Sequence, residues 1–363
     1  MNENNMAMNK KRPYKISTDV QYVNNDSISH NIINADLGLF HGKLGMTIFY
    51  YHLFRFTSDK KWEILAEELL DDLFMEIQTC SLSTDFEYGL TGIGWGIEYL
   101  VKNEFVDANT DEVLESIDDK VFHKIVANDA WNIGLSSGLL GYISYVLTRL
   151  RSTNNPTTQY LQKQLLIELI NKLAEAVDSQ KINFNEPDSF DILWDVPLLL
   201  IVLEQCLNIN LYNSKIIQIL KEIEAEVLTL LPQKHSNRAY LLLGLEKIAV
   251  KISSKRWKAS AELLSQTIDL KEILSNEFTR RNVTLRTGKG GIALVLHLFT
   301  KLAVSSKLSF GIQDFQYTIR EELNFEQWLN SGKGGISKTD LLLGEFGLHL
   351  AYILSNTPIK LTV

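Results

Sequence analysis

A Leu followed at three-residue intervals by two glycines recurs along the chain, and each copy runs into an apolar segment. The copies read Leu39-Phe-His-Gly42-Lys-Leu-Gly45, Leu135-Ser-Ser-Gly138-Leu-Leu-Gly141, Leu285-Arg-Thr-Gly288-Lys-Gly-Gly291 and Leu341-Leu-Leu-Gly344-Glu-Phe-Gly347. A compressed copy is Gly89-Leu-Thr-Gly92-Ile-Gly94 and a degraded one is Tyr240-Leu-Leu-Leu-Gly244. A seventh has lost its glycines and reads Trp194-Asp-Val-Pro197-Leu198. Taken at their last positions (45, 94, 141, 198, 244, 291 and 347), the copies lie 46 to 57 residues apart. That spacing fits two helices of average length with their loops. A fixed period of this size marks a repeat architecture, in which each unit buries its apolar face against the next.

Each copy predicts an apolar helix, over 46–56, 95–102 and 292–302 in the clearest cases. Amphipathic helices are expected between them. Over 60–77, Trp62, Leu65, Leu69, Leu73 and Ile77 recur at helical spacing with acidic residues opposite, and 161–177 behaves alike. Asn109-Thr-Asp-Glu112 resembles a capping box. No segment alternates as a strand would. Glycine inside a helix costs roughly 1 kcal/mol relative to Ala, but near a helix start it costs less and lets backbones approach. The glycines therefore read as packing positions. Gly288-Lys-Gly-Gly291 lacks the full phosphate-loop pattern and no strand precedes it.

Composition narrows the partners. Hydrophobic residues make up 45% and charged residues 22%, as in ordinary globular proteins, and the formal net charge is −8. Nucleic acids and anionic membrane surfaces favour basic chains, so neither is expected as a partner. The two cysteines, Cys80 and Cys206, are too few and too far apart for a disulfide framework or a metal knuckle. Free thiols suit a reducing compartment, and the expected location is cytoplasmic. No apolar run reaches the ~20 residues of a membrane span, so no membrane insertion is expected. The expected domains are a polar arm over 1–30 and one helical domain over 31–363.

Seven such glycine motifs resemble the lanthionine synthetase C-like family, the cyclases of lanthipeptide biosynthesis. The most specific stretches are Gly38-Leu-Phe-His-Gly-Lys-Leu-Gly45, Tyr88-Gly-Leu-Thr-Gly-Ile-Gly-Trp-Gly-Ile-Glu-Tyr-Leu100 and Gly134-Leu-Ser-Ser-Gly138, and the likeness runs from about 36 to 354. The resemblance implies an all-α fold, an α/α toroid of seven inner and seven outer helices with a site at its central mouth. It also implies a chemistry, the addition of a peptide cysteine thiol to a dehydroamino acid. Zinc held by two Cys and one His binds that thiol and lowers its pKa.

The same resemblance shows where this chain departs. The family's fifth-repeat Trp-Cys-Tyr-Gly-x-x-Gly becomes Arg238-Ala239-Tyr240-Leu241-Leu-Leu-Gly244. The sixth-repeat Cys-His-Gly-x-x-Gly becomes Arg286-Thr287-Gly288-Lys289-Gly290-Gly291. All three zinc ligands are replaced, so no cofactor is expected. The fourth-repeat His-Gly-x-Pro-Gly becomes Trp194-Asp195-Val196-Pro197-Leu198, removing a pocket histidine, and Asp129 lies near the family's third-repeat Asp but is offset from it.

A substrate pocket is then expected from His41, Trp194, Asp195, Arg238, Tyr240, Arg286 and Thr287, since Arg suits carboxylate recognition. The competing reading is that these residues fill the former metal cavity, with Asp195 paired to Arg286. His52, His297 and His349 sit at different offsets from their motifs and are not expected to converge. Trp95, Trp131 and Trp194 are expected to fill the core. The acidic stretch 107–119 reads as a solvated helix face or a dock for a basic leader peptide. The implied function is a cyclase-like protein without zinc catalysis that binds a precursor peptide or its modifying enzymes. Two alternatives are a zinc-independent cyclase and a carbohydrate-active enzyme on a related toroid. The latter needs two carboxylates across a cleft, for which Asp36, Asp85, Glu87, Asp191, Asp195 and Glu345 lie near motif turns.

Overall fold

The computed structural model describes residues 36–127, 131–279, 282–301 and 340–356. Residues 1–30, expected as a polar arm, and Asp129 lie outside them. Seven apolar helices open on the motifs: α1 (Lys43–Thr57), α3 (Leu90–Lys102), α6 (Leu139–Ser152), α8 (Asp195–Ile209), α11 (His235–Lys251), α13 (Lys289–Lys301) and α14 (Glu345–Asn356). Between them run α2 (Lys60–Ile77), α4 (Thr110–Val113), α5 (Glu115–Ala127), α7 (Pro156–Asp178), α9 (Asn213–Glu222), α10 (Glu224–Thr229) and α12 (Lys255–Gln266). The described residues contain no β-strand. None of their helices is long and apolar enough to cross a membrane.

Each inner helix touches the next, and α14 returns to touch α1, so the inner layer is a closed ring. The outer helices α2, α5, α7, α9 and α12 back this ring against α1, α3, α6, α8 and α11. The first and seventh repeats meet as the motif pattern predicts. Phe49 of α1 stacks on Phe346 of α14 with ring centroids 4.2 Å apart, and Leu341 N–H donates to the Phe40 carbonyl at 2.9 Å.

The motif glycines are holes with specific occupants. A side chain on the last glycine of a motif would strike the carbonyl of that motif's own first residue, six positions earlier. The approach would be 2.3 Å for Gly45 on Leu39, 2.3 Å for Gly141 on Leu135, 2.1 Å for Gly291 on Leu285 and 2.0 Å for Gly347 on Leu341. The same glycine receives the first residue of the neighbouring motif. Leu341 sits at Gly45, Phe86 at Gly141 and Leu285 at Gly347, while Gly291, beside the degraded fourth motif, receives Phe190 from just before that motif. The second repeat therefore is not compressed. Phe86-Glu-Tyr-Gly89-Leu-Thr-Gly92 is a full motif with Phe for Leu, and Gly92 would meet Phe86 O at 2.0 Å and Leu39 Cβ at 3.3 Å. Gly94 has another role, clearing the Tyr145 ring on α6, which would lie 2.4 Å from an added Cβ.

The fifth repeat has no glycine turn. Helix α11 begins at His235, and two carboxylates receive the amides of its start. Glu277 accepts from His235 and Ser236, and Glu186 accepts from Gln233 and Lys234. Unpaired N–H groups at a helix start attract negative charge in this way.

Within the acidic stretch 107–119, Asp107, Glu112, Glu115 and Asp119 are exposed as a solvated face would be, and two residues depart from that expectation. Asp118 and Asp111 are not a solvated face: they turn inward to Arg149, which is fully buried and also holds Glu98 of α3. Tyr145 and Gln162 complete the cluster on Asp118. Removing one partner of such a buried pair typically costs 3–5 kcal/mol, because the other charge is left uncompensated. Asn109 caps its helix as expected, its side chain accepting from Asp111 N–H and donating to Glu112. Trp194 is buried, while Trp95 and Trp131 pack half-buried against the core.

The glycine holes make a differential prediction. Gly141→Ala should destabilise the fold by about 1–3 kcal/mol, because the clash is with backbone. Gly134→Ala should change stability by less than about 0.5 kcal/mol, since an added Cβ there meets nothing closer than 3.4 Å. Urea denaturation of both variants checks this; equal effects would contradict the packing role.

Candidate functional site

The mouth of the ring is built from the motif turns, joined edge to edge by backbone hydrogen bonds. Phe86 and Glu87 N–H donate to Ser136 O at 2.9 and 3.0 Å, and Phe40 N–H donates to Glu87 O at 3.5 Å. Arg286 N–H donates to Leu342 O at 2.9 Å, and Ile192 N–H donates to Arg286 O at 2.8 Å. The sixth turn thus reaches the fourth directly. The fifth repeat, without a turn, joins by a side chain: the Tyr240 hydroxyl donates to Ile192 O at 2.7 Å. Burial holds the Tyr240 phenol well above its ordinary pKa, with Asp191 and Asp195 adding to the shift. It is a neutral strut.

Arg286 has an acidic partner, but not Asp195. Its Nε lies 3.3 Å from Asp191 Oδ2. The cause is the backbone: the bond from Ile192 to Arg286 O sets the adjacent Asp191 beside the guanidinium. Asp191 Oδ1 also accepts from Leu193 N–H at 2.9 Å. Asp195 stands in the first turn of α8 and faces the third turn instead, with Oδ1 3.4 Å from where a Gly134 Cβ would be. Burial, and then the charge of Asp191, push its carboxyl above the usual range.

The remaining expected residues separate. Arg238 leaves the pocket: its Nε donates to Pro232 O at 2.6 Å and its Nη1 to Thr267 O at 2.9 Å, so it ties α11 to outer connections. Thr287 follows Arg286, its carbonyl accepting from Asn282 Nδ2 at 2.8 Å and its hydroxyl 3.5 Å from that of Thr284. Ala239 is completely buried. His41 lies at the seam of the first, second and seventh turns. Its Nε2 is 2.7 Å from Glu87 Oε1, its Nδ1 bonds Asp340 Oδ2, and its ring stacks on Tyr88. The mouth thus brings Trp194, Asp195, Tyr240, Arg286 and Thr287 to the fourth and sixth turns. His41 belongs to a different cluster and Arg238 to none. Asp191, Glu87 and Asp340 are the functional neighbours that the motif pattern did not single out as site residues. Among the other histidines, His52 bonds the Tyr99 hydroxyl at 2.7 Å, and burial lowers its pKa to about 3.

Such a mouth, made by repeat turns at one end of a closed ring of paired helices, defines an α/α toroid protein. Residues 34–192 match the family described as lanthionine synthetase C-like protein. Among solved structures, one titled "Nisin cyclase" shares the fold, with a TM-score of 0.64 at 15% identity over 91% of this chain and 93% of that one. No curated protein matches in sequence. That match covers less than half of the chain, and the later repeats continue the same ring of paired helices.

The zinc implied by that family does not fit the side chains here. The positions that the resemblance assigns to its ligands hold a buried methyl group at Ala239, a guanidinium paired with a carboxylate at Arg286, and a hydroxyl at Thr287. Cys206 is buried within α8, where burial pushes its thiol up to about 12, and Cys80 lies exposed beyond α2. Among the described residues no group of three or more His, Cys, Asp or Glu side chains is placed to hold a metal ion.

A double-mutant cycle tests the assigned pair. Arg286 and Asp191 are partly exposed, so their coupling in urea unfolding should be about 0.5–1 kcal/mol. Arg286 and Asp195 should be additive. Coupling to Asp195 and none to Asp191 would reverse the assignment.

Proposed function

We propose that this protein is a cyclase-like component of ribosomal peptide modification that binds a precursor peptide, or an enzyme that modifies it, without closing thioether rings. The carrying observation is the vacated ligand set, with Ala239 buried and the Arg286 charge taken up by Asp191. A cysteine thiol with a pKa near 8.5 is only a few per cent ionised at neutral pH. A protein that accelerates its addition has to stabilise the thiolate, and no cation at these positions is left over for that. Of the mouth's other carboxylates, Glu87 and Asp340 hold His41 and Glu186 caps α11, which leaves Asp195 without a free carboxylate partner among them. This disfavours the two-carboxylate chemistry of a glycosidase. The free thiols of Cys80 and Cys206 support a cytoplasmic location.

The test uses a dehydrated, cysteine-bearing precursor peptide. Binding should appear as a rise in fluorescence anisotropy of the labelled peptide. After incubation, each cysteine should still take an alkylating reagent, as read by mass spectrometry, to the extent seen without protein. Loss of alkylation in proportion to added protein would establish a zinc-independent cyclase instead. A Kd weaker than about 1 mM would remove the peptide-binding role.

A further inference from the structure

At His41 both imidazole nitrogens face carboxylate oxygens, and the two carboxylates come from opposite ends of the chain's repeat series. Nε2 lies 2.7 Å from Glu87 Oε1 in the second turn, and Nδ1 bonds Asp340 Oδ2 at the seventh. A neutral imidazole carries one N–H and one lone pair, so it can donate to only one of them and sets its lone pair against the other. Only the imidazolium donates to both. We propose that His41 is a proton-dependent clasp that locks the seam of the toroid at its mouth.

The contacts around it show what the clasp would hold. The second oxygen of Asp340 accepts the N–H groups of Leu342 and Leu343, each at 2.7 Å, and so shapes the seventh turn. That turn donates from Leu341 N–H to Phe40 O and accepts from Arg286 N–H, which makes it the bridge between the first and sixth turns. On the other side, the backbone contact between the first and second turns is the longest of the mouth, 3.5 Å from Phe40 N to Glu87 O. The His41–Glu87 bond supplements that rung.

The surroundings favour the charged ring. Glu87 and Tyr88 come from the second turn and Asp340 from the seventh, and Asp36 acts on the Tyr88 that stacks there. Tyr88 stacks on the imidazole with centroids 4.9 Å apart. Asp85 is occupied by Ser83 and the Tyr88 amide. Two cations of the neighbouring sequence and turns are held elsewhere: Lys43 reaches Glu76 at 2.6 Å, and Arg286 is held by Asp191. Burial lowers the imidazole pKa, but the hydrogen bonds and charges of Asp340 and Glu87 outweigh it and leave the value raised. The sign follows. The clasp is complete below the unfolded value near 6.5 and is lost as pH rises through the higher folded value.

The test uses the full chain and three readouts. The His41 Cε1–H resonance, assigned by its loss in His41→Gln, should titrate with a midpoint above that of an unperturbed histidine. Amide exchange in the peptide spanning 340–344, corrected for intrinsic base catalysis, should quicken about tenfold for each unit by which that midpoint is raised, between about pH 6 and 9. In His41→Gln, which hydrogen-bonds but cannot ionise, the corrected exchange should be flat with pH. Glu87→Gln should lower the His41 midpoint and provides the test if His41→Gln does not fold. A His41 midpoint at or below the ordinary value would overturn the clasp. So would the same pH-dependent loosening in His41→Gln, or an unmoved midpoint in Glu87→Gln.

Discussion

The ring depends on one steric relation, a glycine at the first turn of five of the seven inner helices that leaves room for a neighbour's side chain. Where that glycine stands, the first residue of the adjacent motif enters the gap, as Leu341 does at Gly45 and Leu285 at Gly347. The backbone edges of the turns then come within hydrogen-bonding distance. A methyl group at these positions would meet carbonyl oxygens at 2.0 to 2.3 Å, and backbone cannot yield as the end of a side chain can. The glycines therefore set how five of the seven inner helices meet their neighbours, and the ring in turn decides which turns share the mouth.

The mouth follows from where this relation fails. The fourth motif has Leu198 in place of its last glycine, and the fifth has no turn at all. The sixth turn bonds directly to the fourth, and this sets Arg286 beside Asp191. Tyr240, one of the few residues here that match the family's fifth-repeat pattern, becomes a strut to Ile192. The residues at the family's ligand positions are thus built into the scaffold: Ala239 into the core, and Arg286 into an ion pair and two backbone bonds.

The fold was largely legible because the glycine pattern states a steric requirement directly. Its period, the closing of the first repeat on the seventh, and the helix over 60–77 all follow from residue spacing. The second motif reads as compressed in sequence because Phe86 stands at the position of Leu, and an aromatic side chain fills the next glycine gap equally well. The partner of Arg286 was not legible. Asp191 and Asp195 are four residues apart and chemically alike, and only the turn-to-turn backbone bond distinguishes them. Asp118 reads in sequence as one more surface carboxylate; its inward turn depends on Arg149, 31 residues away. The two carboxylates of His41 were noted only as acidic residues or not at all, because Asp340 is 299 residues from its partner.

On this α/α toroid, Ala239, Arg286 and Thr287, which the resemblance sets at the ligand positions, offer neither thiolate nor imidazole. The most direct measurement is the metal content of protein purified from zinc-supplemented cells without chelators, by mass spectrometry of the digested sample. The account predicts zinc far below one ion per chain after dialysis. One zinc per chain that survives dialysis would contradict it.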